Sequence, residues 1–315
     1  METIDTLYGP ISVPDWPDDL IVRALHAFGE WAPIEQRLFA RLIRKYDRVF
    51  DGGAFLGSFG LGAAQLAAGW GQSPSKLLAI EPSPVLHPYL RASLEANCPC
   101  DWDLAPYAIG LEETTLVPAG DTDDNQGALA YVSATEDTTS SEDAITALPL
   151  WRIREAHGDY DCLKLDVEGW EFEAISSDLD YIKVSKPVIW AECNEAPGSL
   201  KVMEAMTGLG YEPYYVAFPA FRTDNFKQNP DSFFPMAYEA VLVGAEQGRL
   251  ESLLDDIDPA EIIVASVRDN WDLRQAMWRT PRWADKGWID LSRPELIALL
   301  GRAMRGEDLG AFLND

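Results

Sequence analysis

Four carboxylates stand directly after short, mostly apolar runs, in positions where α/β proteins place ligand-binding side chains. Asp51 and Glu81 follow the first two of these runs, and Asp166 and Glu192 follow two later ones. Because the carboxyl ends of parallel strands meet at one edge of a sheet, we expect these side chains to lie close together. Such carboxylates can accept hydrogen bonds from ribose hydroxyls, take the proton of a reacting hydroxyl, or hold a hard cation.

A glycine-rich turn follows the first of these carboxylates. Gly52, Gly53 and Gly57 let the backbone turn sharply and approach a ligand closely. Residues 58–68, rich in Ala, Gly and Leu, predict a helix packed on the sheet, with its first N–H groups facing the ligand. A dinucleotide site would require a further glycine at Phe55. The turn therefore disfavours a nicotinamide oxidoreductase, which is one alternative for this chain.

The elements that must position these residues alternate between strand and helix patterns. A helix is predicted from Leu20 to Phe28, starting after Asp19 and stopping at Gly29, and a second helix precedes the first strand. Alternation of this kind predicts an α/β fold with an open parallel sheet. Further strands are predicted at 77–80, 102–109, 161–167, 187–191, 211–218 and 236–243.

Three motifs resemble the FkbM-type family of S-adenosylmethionine-dependent methyltransferases. They are Asp51-x-Gly53-Ala54-x-x-Gly57, the pair Glu81-Pro82, and Leu163-Lys164-Leu165-Asp166-Val167-Glu168-Gly169-Trp170-Glu171. The resemblance implies a Rossmann-like class I methyltransferase fold, with a seven-stranded mostly parallel sheet and helices on both faces. It also implies S-adenosyl-L-methionine as cofactor and O-methylation of a hydroxyl on a sugar or secondary metabolite.

The resemblance and the strand ends together give a set of candidate site residues. For Glu30 the alternative is a helix-cap role, and Ala108 and Ile109 could be ordinary strand residues. The cofactor-binding candidates are Glu30, Asp51, Gly53, Ala54, Gly57, Glu81, Pro82, Ala108, Ile109 and Asp166. The catalytic candidates are Asp166, Glu168 and Glu192, and the substrate-binding candidates are Trp170, Asn194, Asn225 and Phe226.

Two roles are open for the catalytic carboxylates. In the first, Glu168 and Glu192 serve the acceptor, while Asp166 lies nearer the methionine end of the cofactor. In the second, Asp166, Glu192 and Asn194 hold a divalent cation such as Mg²⁺, which orients and acidifies the acceptor hydroxyl. The residue types alone do not separate these roles.

The chain departs from the family pattern at two positions of the predicted site. Phe55 stands where the family commonly has Asn, which removes a polar cofactor contact and lets the ring stack against the pocket instead. Trp170 stands where relatives usually have a smaller residue, which narrows the site. Both changes weaken any transfer of substrate identity from relatives.

Charge and composition exclude several classes of partner. The 315 residues hold 25 Lys and Arg against 52 Asp and Glu, so the net charge is −27. This charge opposes binding to nucleic acid and to anionic membranes. Neither a targeting segment nor a long apolar run is evident, so we expect a cytoplasmic protein. The four cysteines, including the pair Cys98-Pro99-Cys100, fit reduced structural thiols better than a zinc site.

The sequence divides into three parts. Residues 1–45 are a predicted helical lead-in, 46–244 the methyltransferase domain, and 245–315 a helical, Trp-rich extension that could pack on the core, close over an acceptor or mediate a homodimer. Within the domain, the acidic run 121–143 contains an Asn125-Gln126-Gly127 step similar to one in the family. The loop 221–230 is either a substrate lid or a plain connection.

The main alternative from another functional class is a non-catalytic binding module of methyltransferase fold. Such a module would act with a partner enzyme, through the Trp-rich extension. It would bind the cofactor without turning over, or would not bind it at all. The favoured partner of the chain is a small-molecule hydroxyl acceptor.

Overall fold

An eight-stranded sheet with helices on both faces forms the centre of the chain in the computed structural model. The structure describes residues 1–118, 131–133, 144–194, 196–233, 237–254, 257–259 and 261–280. The Asn125-Gln126-Gly127 step lies outside these ranges, as do most of the acidic run and residues 281–315 with Trp283 and Trp288.

Strands and helices alternate along most of the described chain. In order they are β1 (Glu2–Thr6), β2 (Gly9–Val13), α1 (Leu20–Phe28), α2 (Pro33–Leu42), β3 (Arg48–Gly52), α3 (Ser58–Gly69), β4 (Lys76–Ile80), α4 (His87–Asn97), β5 (Asp101–Ala105), β6 (Ala108–Gly110), β7 (Thr114–Pro118), β8 (Tyr131–Ser133), β9 (Ile145–Pro149), α5 (Leu150–His157), β10 (Cys162–Leu165), α6 (Glu171–Ser176), α7 (Leu179–Ser185), β11 (Val188–Glu192), α8 (Pro197–Gly208), β12 (Tyr214–Pro219), β13 (Tyr238–Gly244), α9 (Gln247–Leu254), β14 (Ile263–Ser266) and α10 (Asn270–Trp278).

The order of strands in the main sheet is β14-β12-β13-β11-β10-β3-β4-β5. Strands β5, β4, β3, β10 and β11 run parallel, while β13, β12 and β14 are joined by antiparallel pairing. The predicted Rossmann-like, mostly parallel fold is confirmed. The strand order reverses between β3 and β10, so the carboxyl ends of these two strands flank a crevice.

One strand more than the predicted seven belongs to this sheet. β14 pairs antiparallel with β12 and comes from the part of the chain that we predicted to be wholly helical. Its residues, Ile263 to Ser266, are only partly buried because it is an edge strand. Its four residues are mostly apolar, and so short an apolar run does not distinguish a strand from a helix.

Both faces of the main sheet are covered, which explains the continuous apolar runs of its strands. Val49 and Leu77 belong to the core on one face, and their neighbours Phe50 and Leu78 to the core on the other. Side chains alternate across a strand, so one run of apolar residues supplies two cores.

The lead-in begins with a β-hairpin and not with a helix, which corrects the prediction for residues 1–45. The Ser12 N–H donates to Ser93 Oγ of α4 at 3.1 Å, and Asn97 Nδ2 donates to the Pro10 carbonyl at 2.8 Å. The predicted helix that follows is confirmed. Asp19 Oδ1 accepts the Val22 N–H at 2.9 Å as its N-cap, and the left-handed Gly29, with φ 70°, ends it.

The predicted strand 102–109 is two strands in different sheets. β5 ends the main sheet, whereas β6 pairs with β9 in a four-stranded sheet of order β6-β9-β7-β8. Pro106 separates them, and its lack of an N–H group interrupts a ladder of hydrogen bonds. Ala108 and Ile109 therefore belong to the second sheet.

Across the described ranges, every helix is too short or too polar to cross a membrane.

The turn after β3 generates a prediction at Gly53. The residue has φ +74°, and a Cβ added to it would lie 1.8 Å from the Asp166 carbonyl oxygen. Gly53→Ala is expected to lower the free energy of unfolding by more than the roughly 1–2 kcal/mol of a left-handed alanine, because the Asp166 backbone must also move. Denaturant unfolding measures this loss.

Gly69→Ala is the matched control for this substitution. An added Cβ at Gly69, the last residue of α3, meets nothing within 4 Å. Its unfolding free energy should stay within about 1 kcal/mol of the parent, since alanine favours a helix. Equal stability of the two variants would contradict the close approach of the two loops.

Candidate functional site

A cleft opens at the carboxyl ends of β3, β4 and β10, where the strand order reverses. Its empty space, including the open mouth, is about 1080 Å³. Aromatic side chains from the lead-in, the glycine turn and the second sheet form much of its wall: Trp16, Trp31, Phe55, Tyr107, Tyr131 and Trp170. Cavities of this size and character are typical of small-molecule sites.

The glycine turn brings its backbone to the floor of the cleft. Gly53 and Ala54 line it, and their N–H groups donate to the Ile80 carbonyl at 2.9 and 3.1 Å. Gly57 lies outside the lining. With φ +86° it precedes α3, and a Cβ there would contact Leu90, so it allows the turn to pack. Of the predicted glycines, one faces the cleft and one shapes the turn.

Glu81 and Pro82 line the cleft beside this turn, as the sequence predicts. Glu81 Oε2 accepts the Phe55 N–H at 2.9 Å, and its Oε1 accepts the Ser83 N–H at 2.8 Å. Burial raises the pKa of Glu81 to about 7 against these hydrogen bonds. Each carboxylate oxygen has a further lone pair, so the fixed side chain can still receive a hydroxyl from the cleft.

Phe55 occupies a left-handed position with φ 48°. This backbone conformation is uncommon for a bulky side chain such as phenylalanine. In this chain the ring lines the cleft and lies 6.4 Å, between centroids, from Trp16. The ring is tilted by 33° to the Trp16 ring, so the two rings are in contact without stacking.

Asp51 does not reach the cleft, which corrects its prediction as a cofactor acceptor. The side chain is buried under α3, where Oδ2 accepts the Gly60 N–H at 3.1 Å. Oδ1 lies 3.2 Å from Lys164 Nζ. Burial raises the pKa of Asp51, and the Lys164 ammonium opposes that rise. The carboxylate serves the interior: Oδ2 accepts the Gly60 N–H, and Oδ1, which accepts no hydrogen bond, has the Lys164 ammonium as its counter-charge.

Lys164 is a site residue that the sequence reasoning overlooked. It is buried in β10, yet it lines the cleft, and its Nζ donates to the Gly53 carbonyl at 2.9 Å. The same ammonium lies 3.5 Å from Asp166 Oδ2. It thus joins the cofactor turn to the carboxylate after β10. A lysine in the middle of a predicted buried strand was the available signal, because such a charge needs partners.

The loop after β10 is held by its own acid. Glu171 Oε1 accepts the N–H groups of Val167 at 3.0 Å and Gly169 at 3.3 Å. Glu168 lies between them with φ 52°, a left-handed backbone that is uncommon for a glutamate. The cap holds this conformation and directs Asp166, Glu168 and Trp170 to the cleft wall.

Glu168 and Trp170 meet the predictions for their location. Burial, followed by repulsion from Asp166 and Glu171, raises the pKa of Glu168 to about 7. Trp170 Nε1 donates to the Tyr131 carbonyl at 3.1 Å, which fixes the indole against the second sheet. Ala108 and Ile109 line the same side of the cleft from β6.

Glu35 is a second overlooked residue of the lining. It comes from α2, and its Oε1 accepts the Trp190 Nε1–H at 2.8 Å. Burial raises its pKa to about 8, which the Trp190 hydrogen bond and Lys164 oppose. A lone glutamate in an amphipathic helix gives no sequence signal of this placement.

Glu192 and Asn194 stand behind the lining and not in it. Leu165 is in register with Ala191, so Asp166 and Glu192 follow side by side at the same sheet edge. Burial, with repulsion from Asp166 and Glu168, raises the pKa of Glu192 well above its ordinary value. The carbonyl of Asn194 accepts the Ser199 hydroxyl at 2.7 Å, which belongs to the start of α8.

The cation alternative finds no support in this arrangement. Among the described residues, no group of three or more His, Cys, Asp or Glu side chains could hold a metal ion. The sulfurs of Cys98 and Cys100 lie 3.7 Å apart as free thiols, away from the cleft.

The loop 221–230 is fastened to the end of α1 and does not bring Asn225 or Phe226 to the cleft. The buried Asn225 bonds within the loop, to Arg222 and Asn229. The Phe226 N–H donates to Glu30 Oε2 at 2.8 Å. Glu30 therefore holds the loop and lies outside the lining, while its neighbour Trp31 forms part of the wall. These placements correct three predicted contacts.

Comparison with known proteins identifies the domain. The profile of the methyltransferase FkbM domain matches residues 53–213, just over half of the 315 residues. No curated protein matches the chain.

Solved methyltransferases resemble the chain at low identity. A methyltransferase FkbM from Methylobacillus flagellatus KT has 14% identity and a TM-score of 0.40, over 67% of this chain and 50% of its own. A precorrin-6y C5,15-methyltransferase from Geobacter metallireducens GS-15 has 15% identity and a TM-score of 0.39, over 68% and 88%. Fibrillarin from Aeropyrum pernix, with natively bound S-adenosyl-L-methionine, has 9% identity and a TM-score of 0.36, over 67% and 76%. The chain spans about half the length of the first of these.

The ion pair beneath the cleft generates a second prediction. Lys164→Met leaves the Asp51 carboxylate buried without its counter-charge and should destabilise the protein by about 3–5 kcal/mol. Without the ammonium, the pKa of Asp51 in the folded protein rises further above its unfolded value. The protonated form then favours folding, so the loss should be larger at pH 8 than at pH 5.

The control for this prediction is the double variant Lys164→Met/Asp51→Asn, which removes both charges. It should regain part of the stability and lose the pH dependence of the difference. Thermal or denaturant unfolding across this pH range measures both effects. A Lys164→Met variant as stable as the parent at pH 8 would show that the pair does not hold the turn.

Proposed function

The chain belongs to the FkbM methyltransferase family, and we propose that it transfers a methyl group from S-adenosyl-L-methionine to a hydroxyl of a small molecule. A sugar or a natural product is the acceptor class that we propose. The observation that carries the proposal is Glu168, a carboxylate on the cleft wall with a pKa of about 7. A base with this pKa suits removal of a hydroxyl proton near neutral pH.

The cleft fits the cofactor through residues of distinct chemistry. The backbone turn at Gly53 and Ala54 lets a ligand approach closely, and Glu81 can receive the ribose hydroxyls. Ala108 and Ile109 offer an apolar wall for the adenine. Asp166, beside the Lys164 ammonium, lies where it can bind the amino group of the methionine part. When bound, the cofactor supplies an electrophilic methyl group on a sulfonium.

Glu168 would accept the proton of the acceptor hydroxyl at a carboxylate oxygen. Its position on the wall is set by the loop that Glu171 caps, so the base is oriented before an acceptor enters. At neutral pH about half of a carboxyl with this pKa is ionised, and the ionised form is the one that removes a proton.

The aromatic walls would orient the acceptor and exclude water. Trp31 and Trp170 line the cleft from opposite parts of the chain, and the Trp170 indole is fixed by its bond to the second sheet. Holding two reactants in place and displacing water can supply much of the rate of a displacement reaction. This arrangement favours an enzyme over a non-catalytic binding module.

Cofactor binding tests the role of Glu81. Glu81→Ala should weaken the binding of S-adenosylhomocysteine by about 1–3 kcal/mol, the range for loss of charged hydrogen bonds. Isothermal titration calorimetry measures the affinity. An unchanged affinity in a folded variant would refute the ribose role.

Turnover tests the role of Glu168. Glu168→Gln should bind S-adenosylhomocysteine like the parent but lower kcat by about 10²–10⁴, the contribution typical of a general base. In the parent, kcat/KM should rise with pH through about 7, because kcat/KM reports the free enzyme, whose Glu168 must be ionised to act. The variant should lack this limb.

Glu155→Gln is the matched control, since Glu155 is exposed on α5 away from the cleft. It should keep both the rate and the pH profile. Methyl transfer by Glu168→Gln at the parental rate, with the same acceptor, would remove Glu168 from the proposed mechanism.

A further inference from the structure

The cleft holds one ammonium, and that ammonium already has its partners. Among the described residues of the lining, Lys164 is the sole cationic side chain, against the carboxylates of Glu35, Glu81, Asp166 and Glu168. Lys164 Nζ lies 2.9 Å from the Gly53 carbonyl, 3.2 Å from Asp51 and 3.5 Å from Asp166. Its positive charge is already balanced by these partners, so it is not available to bind a phosphate or carboxylate group of an acceptor.

The backbone N–H groups on either side of Glu168 are also occupied. The N–H groups of Val167 and Gly169, at the start of α6, would otherwise suit an anion. Glu171 Oε1 accepts both of them. The Glu171 carboxylate therefore occupies the place where an anionic ligand could bind, and it adds a further negative charge near the wall.

Carboxylates from three neighbouring strands converge on this side. Asp166 and Glu168 follow β10, and Glu192 ends β11 beside them. Glu192 is in register with Val241 of the antiparallel β13, so Glu239 lies farther along the same edge. Repulsion from Asp166, Glu168, Glu171 and Glu239 adds to burial in raising the pKa of Glu192.

Two of these carboxylates lack hydrogen-bond donors. Neither Glu168 nor Glu192 accepts a hydrogen bond or joins an ion pair with any residue that the structure describes. A partly buried carboxylate normally finds a donor or a counter-charge. The described residues supply no hydrogen-bond donor to these two carboxylates. A ligand with positively charged N–H groups would supply one.

The aromatic part of the wall favours the same kind of ligand. The Trp170 side chain stands beside Glu168 on the lining, and its Nε1–H is held by the Tyr131 carbonyl. A tryptophan face attracts an ammonium, and the attraction is stronger where water is excluded. Rings and carboxylates together are how proteins recognise amines.

We propose that the methyl acceptor carries a protonated amino group beside its reacting hydroxyl, bound by Glu168 and Trp170 on the cleft wall, and that anionic acceptors are excluded. An amino sugar or an amino alcohol has this chemistry. The inference rests on the proposed function, because it names the acceptor of that reaction.

The bound ammonium also determines which group reacts. A protonated amine has no lone pair and is not a nucleophile, so the adjacent hydroxyl is the group that attacks. The positive charge lowers the pKa of Glu168 from its raised value, so the base is ionised in the complex. Amine binding is therefore accompanied by proton release and should strengthen as the pH rises through about 7, until the amine itself begins to lose its proton.

Matched probes test the proposal on the full chain saturated with S-adenosylhomocysteine. Glucosamine, glucose and glucuronate differ in charge on one scaffold, and Tris and pentaerythritol form a second pair that differs in its amino group. Binding is followed by NMR at constant ionic strength, through the indole N–H signal of Trp170. This signal is assigned by its absence from the spectrum of Trp170→Phe. The amines should bind about ten- to hundredfold tighter than the neutral probes, the range for a charge-assisted hydrogen bond.

Two variants test whether the preference for amines comes from the wall or from the net negative charge of the protein. Glu168→Gln should remove most of the preference for amines, while Glu155→Gln, which removes one exposed carboxylate of α5, should keep it. Equal binding of glucosamine and glucose, tighter binding of glucuronate, or no saturable response to either amine would overturn the proposal.

The product of the reaction distinguishes this inference from the proposed function. Preferred binding of amines with methylation on nitrogen would retain the cationic acceptor and overturn O-methylation. Methylation of neutral and amine-bearing hydroxyls with equal kcat/KM would retain O-methylation and overturn the inference.

Discussion

The buried ion pair between β3 and β10 is the interaction on which the cleft depends. Lys164 and Asp51 are register partners on adjacent strands, at the point where the strand order reverses. The same ammonium bonds to the Gly53 carbonyl and approaches Asp166. One charge therefore links the glycine turn after β3 to the carboxylate that follows β10. A hydrophobic pair would fill the space but would not align two loops.

The row of residues across the sheet extends this alignment to the helices. Lys164 is in register with Trp190 on its other side, and the Trp190 indole holds Glu35 of α2. Asp51 in turn accepts an N–H of α3. The two helices that cover this face of the sheet are thus tied, through polar side chains, to the strands that end at the cleft. In this row Asp51 Oδ1 accepts no hydrogen bond, and the Lys164 ammonium at 3.2 Å is its counter-charge.

Sequence patterns anticipated the parts of the structure that local physics determines. The Asp19 cap, the Gly29 stop and the parallel strands follow from propensity and periodicity, and the placement of Glu81, Asp166 and Glu168 follows from strand ends. The failures involve long-range pairing. Pro106 diverted Ala108 and Ile109 to another sheet, and β1, β2 and β14 lie in the two terminal segments that we predicted to be helical.

The functions of individual side chains were harder to predict than their positions. Three polar residues near motifs looked like ligand contacts: Asp51, Glu30 and Asn225. Each of these side chains instead bonds to other residues of the protein. Lys164 and Glu35 looked like ordinary strand and helix residues, but they line the cleft. The partners of Asp51 and Glu30 lie more than a hundred residues away along the chain, and one sequence does not display such pairings.

The buried Tyr8 of the hairpin connects the lead-in to the wall of the cleft. Its hydroxyl bonds to both the N–H and the carbonyl of Trp31, and Gln36 donates to the same oxygen. Residues 1–45 thus build one wall of the cleft, with Trp16, Trp31 and Glu35, while the family profile begins only at residue 53. Part of the cleft wall is therefore built by a segment of the chain that lies outside the region matched by the family profile.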